Sequence, residues 1–77
     1  MEESLGGRIR TRRKALGYTQ EQLAREAGVT MNYVARLERD EIADPHVSTL
    51  AAIARAGLGV PTSELLGEEP RPLVAAR

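Results

Sequence analysis

Side chains that could carry out catalysis or bind a metal ion are scarce in this sequence. It contains one histidine, His46, and no cysteine, which excludes disulfides, thiolate-bound zinc and iron–sulfur sites. Catalysis would need an activated nucleophile or an acid–base pair in a cleft that excludes water. His46 has no evident carboxylate and nucleophile around it in the sequence, and 77 residues leave little room for such a cleft. We therefore expect neither an enzyme nor a metal or cofactor site.

Arginine is the abundant charged side chain. Ten of the eleven basic residues are arginine, whose planar fork makes paired contacts with phosphate or carboxylate groups. The formal net charge is zero, but residues 1–37 carry seven basic and four acidic side chains, whereas residues 38–77 carry four and seven. This uneven distribution makes the first half basic, which keeps nucleic acid open as a partner.

The length and composition indicate one small globular domain. Hydrophobic residues make up 42% of the chain, which is enough for a core, and the aromatic residues are only Tyr18 and Tyr33. The core must therefore be aliphatic. No apolar run approaches the roughly 20 residues of a membrane span, and the acidic start differs from a secretory signal. We expect a soluble, cytoplasmic protein that does not bind membranes.

Short segments with helical spacing of apolar residues predict an all-α fold, a compact bundle of about five short helices. The predicted segments are Leu5–Leu16, 19–28 with Thr19 and Gln22 as a capping box, Met31–Arg39, Val47–Ala56 and 61–67. The side chains expected to face inward are Leu5, Ile9, Leu16, Leu23, Ala24, Ala27, Val34, Ala35, Leu37, Val47, Leu50, Ile53 and Ala54. This domain spans residues 1–67, and an extended or flexible tail follows over residues 68–77.

Residues 19–39 are the most informative stretch. Two predicted helices meet there at a tight turn, in which Gly28 supplies the positive φ that the turn needs. The small Ala24 lies where the helices would cross, and it allows them to pack at a steep angle. These features predict a helix-turn-helix, whose second helix projects from the domain and can enter the DNA major groove.

With Ile9, Arg10 and Arg13 before it, this stretch resembles the Cro/C1-type (XRE-like) helix-turn-helix family of phage repressors and small bacterial regulators. That family includes the controller proteins of restriction–modification systems. The shared pattern is Thr-Gln-x-x-Leu-Ala-x-x-x-Gly-Val-Thr-x-x-x-Val-x-x-Leu-Glu, and the resemblance covers about Leu5 to Leu66. It implies a lambda-repressor-like DNA-binding domain. It also implies a sequence-specific transcriptional regulator that binds double-stranded DNA as a homodimer, without a cofactor.

The resemblance also assigns roles to individual side chains. Those expected to contact base edges are Met31, Asn32 and Arg36. Those expected to contact the phosphate backbone are Gln20, Thr30, Tyr33 and Arg12. Arg13 and Glu38 match a structural ion pair that fastens the first helix to the third. Several of these have alternatives. The three side chains assigned to bases could form an ordinary solvated helix face. Gln20 could be a capping partner, Tyr33 could pack on the fourth helix or the turn, and Arg12 could be exposed to solvent.

A dimer interface is expected at the end of the fourth helix and on the fifth. The apolar side chains there would leave an exposed patch on a monomer, and such patches usually mark association. They are Leu58, Val60, Leu65 and Leu66.

The sequence departs from the family in ways that keep a second function open. Arg12 stands where many members have a core leucine, and Gly57 is an extra residue before Leu-Gly-Val. The loop 40–44 is acidic where relatives often have basic residues. This loop and the zero net charge favour the alternative of a protein-interaction module, antitoxin-like or adaptor, with an unknown protein partner.

Overall fold

The computed structural model describes residues 3–66, which form five α-helices and contain no strand. The helices are α1 (Leu5–Ala15), α2 (Gln20–Ala27), α3 (Met31–Glu38), α4 (Val47–Ala51) and α5 (Thr62–Leu66). A π-helical segment, Ala52–Leu58, continues directly from α4. The predicted all-α bundle is confirmed. The predicted tail, 68–77, lies outside the described residues.

The first three helices begin at hydroxyl side chains. Ser4, Thr19 and Thr30 each accept a hydrogen bond from the backbone N–H three residues further on, at 3.0–3.1 Å. The side chain of Gln22 reaches back and accepts from the backbone N–H of Thr19 at 2.8 Å, which completes the predicted capping box. Each such cap contributes about 1 kcal/mol, which matters because α2 and α3 have only eight residues each and are too short to be stable alone.

The core is aliphatic, as the composition predicts. Its ten hydrophobic side chains are at most 5% exposed, and every helix contributes at least one of them. They are Ile9, Leu23, Ala24, Val34, Leu37, Leu50, Ile53, Ala54, Leu58 and Leu65.

Two of the side chains predicted to face inward are exposed instead. Leu16 is 50% exposed and Val47 is 75% exposed. Leu16 falls just beyond the last residue of α1, where the chain turns at Gly17, so the helical spacing no longer directs it inward. Val47 is the first residue of α4, and its side chain lies outside the core that encloses Leu50. The predictions for these two residues are wrong because helical spacing says nothing about where the neighbouring helices end.

Gly57 lies within the π-helical segment. A π-helix bonds i to i+5, so each turn holds more residues than an α-helical turn. The segment closes with a hydrogen bond from Val60 N to Ala54 O at 2.8 Å. Gly57 is buried, and a Cβ atom there would overlap the side chain of Leu23 on α2. Glycine therefore allows this segment to pack closely against α2.

The packing of the helices leaves one face of α3 uncovered. α2 packs against both α3 and the π-helical segment, whereas α1 packs against α3 and α5. α3 therefore packs on α1 and α2, and its own side chains Val34 and Leu37 are buried on that side. Its opposite face is exposed to solvent.

Candidate nucleic-acid interface

The predicted helix-turn-helix is present at residues 19–39. Gly28 has φ +75°, and the N–H of Val29 donates to Ala24 O at 3.0 Å, so the chain reverses tightly after α2. Ala24 is 3% exposed within the core, and α2 packs against α3 as predicted. Thr30 then caps α3 immediately. This short connection fixes the direction of α3 relative to α2.

The exposed face of α3 carries the three side chains predicted to contact bases. Met31 is 52% exposed, Asn32 is exposed, and the side chain of Arg36 is 50% exposed. Asn32 and Arg36 are four residues apart and therefore share a face, about 6 Å apart along the helix axis. An apolar thioether, an amide and a guanidinium thus project together from a rigid helix.

Thr30 and Tyr33 both make contacts within the protein itself. The Thr30 hydroxyl oxygen accepts the N–H of Tyr33 at 3.1 Å as the α3 cap. Tyr33 is half-buried and packs against the hydrophobic core. This position agrees with the packing alternative for Tyr33 and does not test whether it also contacts phosphate.

Arg13 and Glu38 form a buried ion pair. Arg13 Nε donates to Glu38 Oε2 at 2.6 Å and Nη2 to Oε1 at 3.0 Å, and each residue is 8% exposed. Arg13 Nη1 also donates to Tyr18 O at 2.8 Å. The guanidinium therefore joins α1 to the end of α3 and to the turn before α2.

Gln20 belongs to the same network. Its Nε2 donates to Glu38 Oε1 at 3.0 Å, so the Gln20 side chain contacts the Arg13–Glu38 ion pair. Burial raises the pKa of Glu38, but the hydrogen bonds from Arg13 and Gln20 and the charge of Arg13 lower it more, and the net result is below the ordinary value of 4.5. The alternative of Gln20 as a capping partner is wrong because Gln22 fills that position.

Arg12 pairs with Glu64 on α5. Successive residues on an α-helix point about 100° apart, so Arg12 turns towards α5 while Arg13 turns towards α3. Both members of the Arg12–Glu64 pair are about half-exposed, in agreement with the solvent-exposed alternative. A phosphate contact by Arg12 would have to compete with Glu64.

The four predicted dimer residues do not form one exposed patch. Leu58 is 5% exposed and Leu65 is fully buried, so the prediction that they lie at an interface is wrong. Their side chains instead fill the core between α1, the π-helical segment and α5. Val60 is half-buried against that core, and Leu66 is 46% exposed.

Sequence reasoning missed the roles of Asp40 and Glu41. Asp40 has φ +59°, and the N–H groups of Asp40 and Glu41 donate back to Leu37 O and Arg36 O at 3.0 and 2.9 Å, which ends α3. The Asp40 carboxylate accepts from Gly6 N at 3.0 Å and from the hydroxyl of Ser4 at 2.7 Å. The available signal was an aspartate at the end of a helix, because Asp tolerates the left-handed region better than most residues.

The helix-turn-helix and its supporting bundle define the class of this domain, and comparison with known proteins identifies the family. A family model described as Helix-turn-helix matches residues 9–65, more than half of the chain. An immunity repressor protein of Bacillus phage phi105 is 44% identical over 66 residues, which are 86% of this chain and 44% of that protein. The chain thus spans less than half the length of this relative.

Two solved structures are similar to this chain. The P22 c2 repressor in complex with a synthetic operator has a TM-score of 0.78 at 31% identity, covering 88% of this chain and 100% of that one. The restriction–modification controller protein C.AhdI from Aeromonas hydrophila has a TM-score of 0.74 at 30% identity, covering 79% and 89%.

The chain belongs to the Cro/C1-type helix-turn-helix family, as the sequence predicted. It is a repressor-like DNA-binding domain of the kind found in transcriptional regulators. The family and its repressor neighbours are DNA-binding proteins and not enzymes. Within residues 3–66, no helix has the length and apolar character needed to cross a membrane.

Proposed function

We propose that this protein is a sequence-specific transcriptional regulator that inserts α3 into the major groove of double-stranded DNA. The observation that carries the proposal is the amphipathic character of α3: Val34 and Leu37 anchor it in the core, while Asn32 and Arg36 project from its exposed face. The major groove is wide enough to admit such a helix. The similarity to the P22 c2 repressor, whose structure includes an operator, supports DNA as the partner.

The chemistry of the exposed α3 side chains suits base edges. An arginine fork can donate to guanine O6 and N7 together, an asparagine amide can bond adenine N6 and N7, and a methionine can contact the thymine methyl group. These roles fall to Arg36, Asn32 and Met31. Because the three side chains lie on one rigid helix, they would address neighbouring base steps of one half-site.

Phosphate contacts would come from the start of α2. The Gln20 amide uses one N–H on Glu38, so its second N–H is available for a phosphate oxygen. The first N–H groups of a helix have no partner within it, and the capping box serves those of Thr19 and Gln22. The N–H groups of Gln20 and Glu21 would therefore favour an anion at this positive helix end. Thr30, Tyr33 and Arg12 stay predictions as further backbone contacts.

Changing the base-reading side chains should alter sequence preference. We expect Arg36→Ala to weaken operator binding by about 1–3 kcal/mol and to relax the preference at one position, a guanine. Asn32→Ala should act similarly at a neighbouring adenine. Both side chains are exposed, so the melting temperature should hardly change. The measurement is a selection of bound sequences from random duplexes, followed by competition with single-base variants.

Two control variants separate base contacts from charge and backbone contacts. Arg25→Ala removes the same charge from an arginine that is 71% exposed on α2, and it should leave base preference unchanged. Gln20→Ala should weaken binding to all sequences about equally, since phosphates carry no sequence information. If Asn32→Ala and Arg36→Ala both retain the wild-type base preference, α3 is not the reading helix and the protein-interaction alternative becomes the better one.

We also propose that the protein acts as a homodimer. One recognition helix covers few base pairs, so two copies related by a twofold axis would read a near-palindrome with half-site centres about 34 Å apart. Val60 and Leu66 are the two predicted interface residues that keep exposed surface, and Leu66 is the more exposed.

A charge at the exposed leucine of α5 should disrupt this dimer. We expect the wild type to sediment as a dimer at tens of micromolar on operator DNA, and Leu66→Glu to raise the dimer dissociation constant at least about tenfold. Leu16→Glu is a matched control, because Leu16 is similarly exposed, at 50% against 46%, but lies after α1. A wild type that stays monomeric with and without DNA would contradict the proposal.

A further inference from the structure

Glu41 lies beside two arginines at the end of α3. Its carboxylate accepts from Arg39 Nε at 2.9 Å and from Arg39 Nη2 at 3.1 Å, a paired contact. The same carboxylate lies 3.8 Å from Arg36 Nε. The turn after α3 holds it there, because the Glu41 N–H donates to Arg36 O at 2.9 Å. Glu41 therefore contacts the side chain proposed to read a guanine.

The two arginines meet Glu41 in different ways. Arg39 uses its Nε–Nη2 edge, so this edge is not available to a phosphate. Arg36 lies further from it, with Nε at 3.8 Å, and makes no hydrogen bond with the carboxylate, so its Nη donors are not bound to Glu41. An arginine can bond guanine O6 and N7 through the Nη pair. The contact with Glu41 is therefore compatible with base reading by Arg36, but not with free use of both arginines on phosphates.

This difference bears on non-specific binding. Affinity for DNA of unrelated sequence comes almost entirely from neutralised phosphates. To contribute there through its Nε–Nη2 edge, Arg39 would have to leave Glu41, and the carboxylate would repel phosphates beside either arginine. In the operator complex Arg36 would keep its Nε contact while its Nη groups bind the base. The carboxylate should thus oppose non-specific binding more than operator binding.

We propose that Glu41 is a specificity-determining residue, which occupies one edge of Arg39 and opposes DNA phosphates beside Arg36, while it leaves the Arg36 fork free for a base. This inference rests on the proposed DNA-reading function of α3. It adds to that function a residue whose own contribution is to discriminate against unrelated DNA.

The test compares Glu41→Gln with the matched variant Asp44→Asn in the full-length chain. Both remove one negative charge from the same loop, but Asp44 makes no ion pair with any residue in the described range 3–66. Binding to a selected operator duplex and to an unrelated duplex is measured across a salt series. For Glu41→Gln we expect about fivefold tighter binding to unrelated DNA near 0.1 M salt, with a salt slope steeper by about 1. Operator affinity should change less than twofold.

The control and a second variant make the result decisive. Asp44→Asn should change binding to either duplex less than about twofold, because its charge is not paired with α3. In an Arg39→Gln background the effect of Glu41→Gln on unrelated DNA should shrink, because one of its two partners is gone. Melting curves should coincide, since the Glu41 side chain is exposed and contacts only other exposed side chains.

The possible results test the role of Glu41 and the proposed function separately. Equal effects of Glu41→Gln and Asp44→Asn would overturn the inference, because loop charge alone would then explain them. An unchanged or weaker affinity of Glu41→Gln for unrelated DNA would also overturn the inference. If the wild type still binds the operator selectively in that case, the proposed function is not affected. A wild type without salt-dependent DNA binding would overturn the proposed function and this inference together.

Discussion

Glu38→Ala should lower the free energy of unfolding by about 3 kcal/mol, because it leaves the Arg13 guanidinium buried without its carboxylate. It also removes the acceptor of the Gln20 amide. For a domain of this size, about 1 kcal/mol corresponds to roughly 4–8 °C in melting temperature, so we expect a decrease of more than about 10 °C. Thermal melting followed by circular dichroism measures this directly.

Replacing both partners should cost less than removing one. A double variant, Arg13→Met with Glu38→Leu, leaves no buried charge and should recover much of the stability that Glu38→Ala loses. Loss of DNA binding in Glu38→Ala at temperatures where it is folded, together with an unchanged melting temperature, would contradict the structural role of this pair.

The pH dependence of stability has a definite sign. The pKa of Glu38 is lowered on folding, by the hydrogen bonds from Arg13 and Gln20 and by the charge of Arg13, which together outweigh the effect of burial. A lowered pKa means that the contribution is complete above the unfolded value, near 4.5, and is lost as the pH falls through the folded value. The stability difference between the wild type and Glu38→Gln should therefore narrow on acidification below about pH 4.5.

Local patterns in the sequence predict the helices and their starts. Thr19, Gln22, Gly28 and Thr30 act through neighbours within a few residues, so their types and spacing are enough to predict the caps and the tight turn. The same holds for the exposed face of α3, because Val34 and Leu37 at helical spacing fix which side is buried. The Arg13–Glu38 pair joins residues 25 positions apart, and only the resemblance to a known family indicated it.

The predictions that failed depend on contacts between distant segments. Leu58 and Leu65 look like candidates for an interface until α5 is seen to pack on α1 and on the π-helical segment. The capping alternative for Gln20 failed because its side chain instead reaches Glu38 at the end of α3. The Arg12–Glu64 pair also depends on a distant helix, α5, and a phosphate contact by Arg12 stays a prediction. The contacts of the acidic loop 40–44 could not be predicted either. Its charge is evident in the sequence, but the pairing of Glu41 with Arg36 and Arg39 follows from the left-handed turn at Asp40.

The start of α1 is the other place where a small change should have a large effect. Gly6 donates its N–H to Asp40 Oδ1 at 3.0 Å, and it lies directly against the end of α3. A Cβ atom at this position would overlap Leu37 O and would lie 2.6 Å from Glu38 O and 2.8 Å from Asp40 Oδ1. Two of these three atoms are backbone oxygens that cannot rotate away, so α1 and α3 would have to separate.

We therefore expect Gly6→Ala to destabilise the fold by about 2–3 kcal/mol, as overpacking does where the backbone must move. In an uncrowded helix the same change stabilises by roughly 0.5–1 kcal/mol. Gly7 provides the matched control: its Cβ would meet only Ser4 Oγ at 3.3 Å and side-chain atoms of Glu3 at 3.5 Å or more. Gly7→Ala should be neutral or stabilising, so the urea midpoint of Gly6→Ala should lie well below that of Gly7→Ala. Equal midpoints would mean that α1 does not approach the end of α3 as closely as these distances require, and that Asp40 does not hold the two helices together.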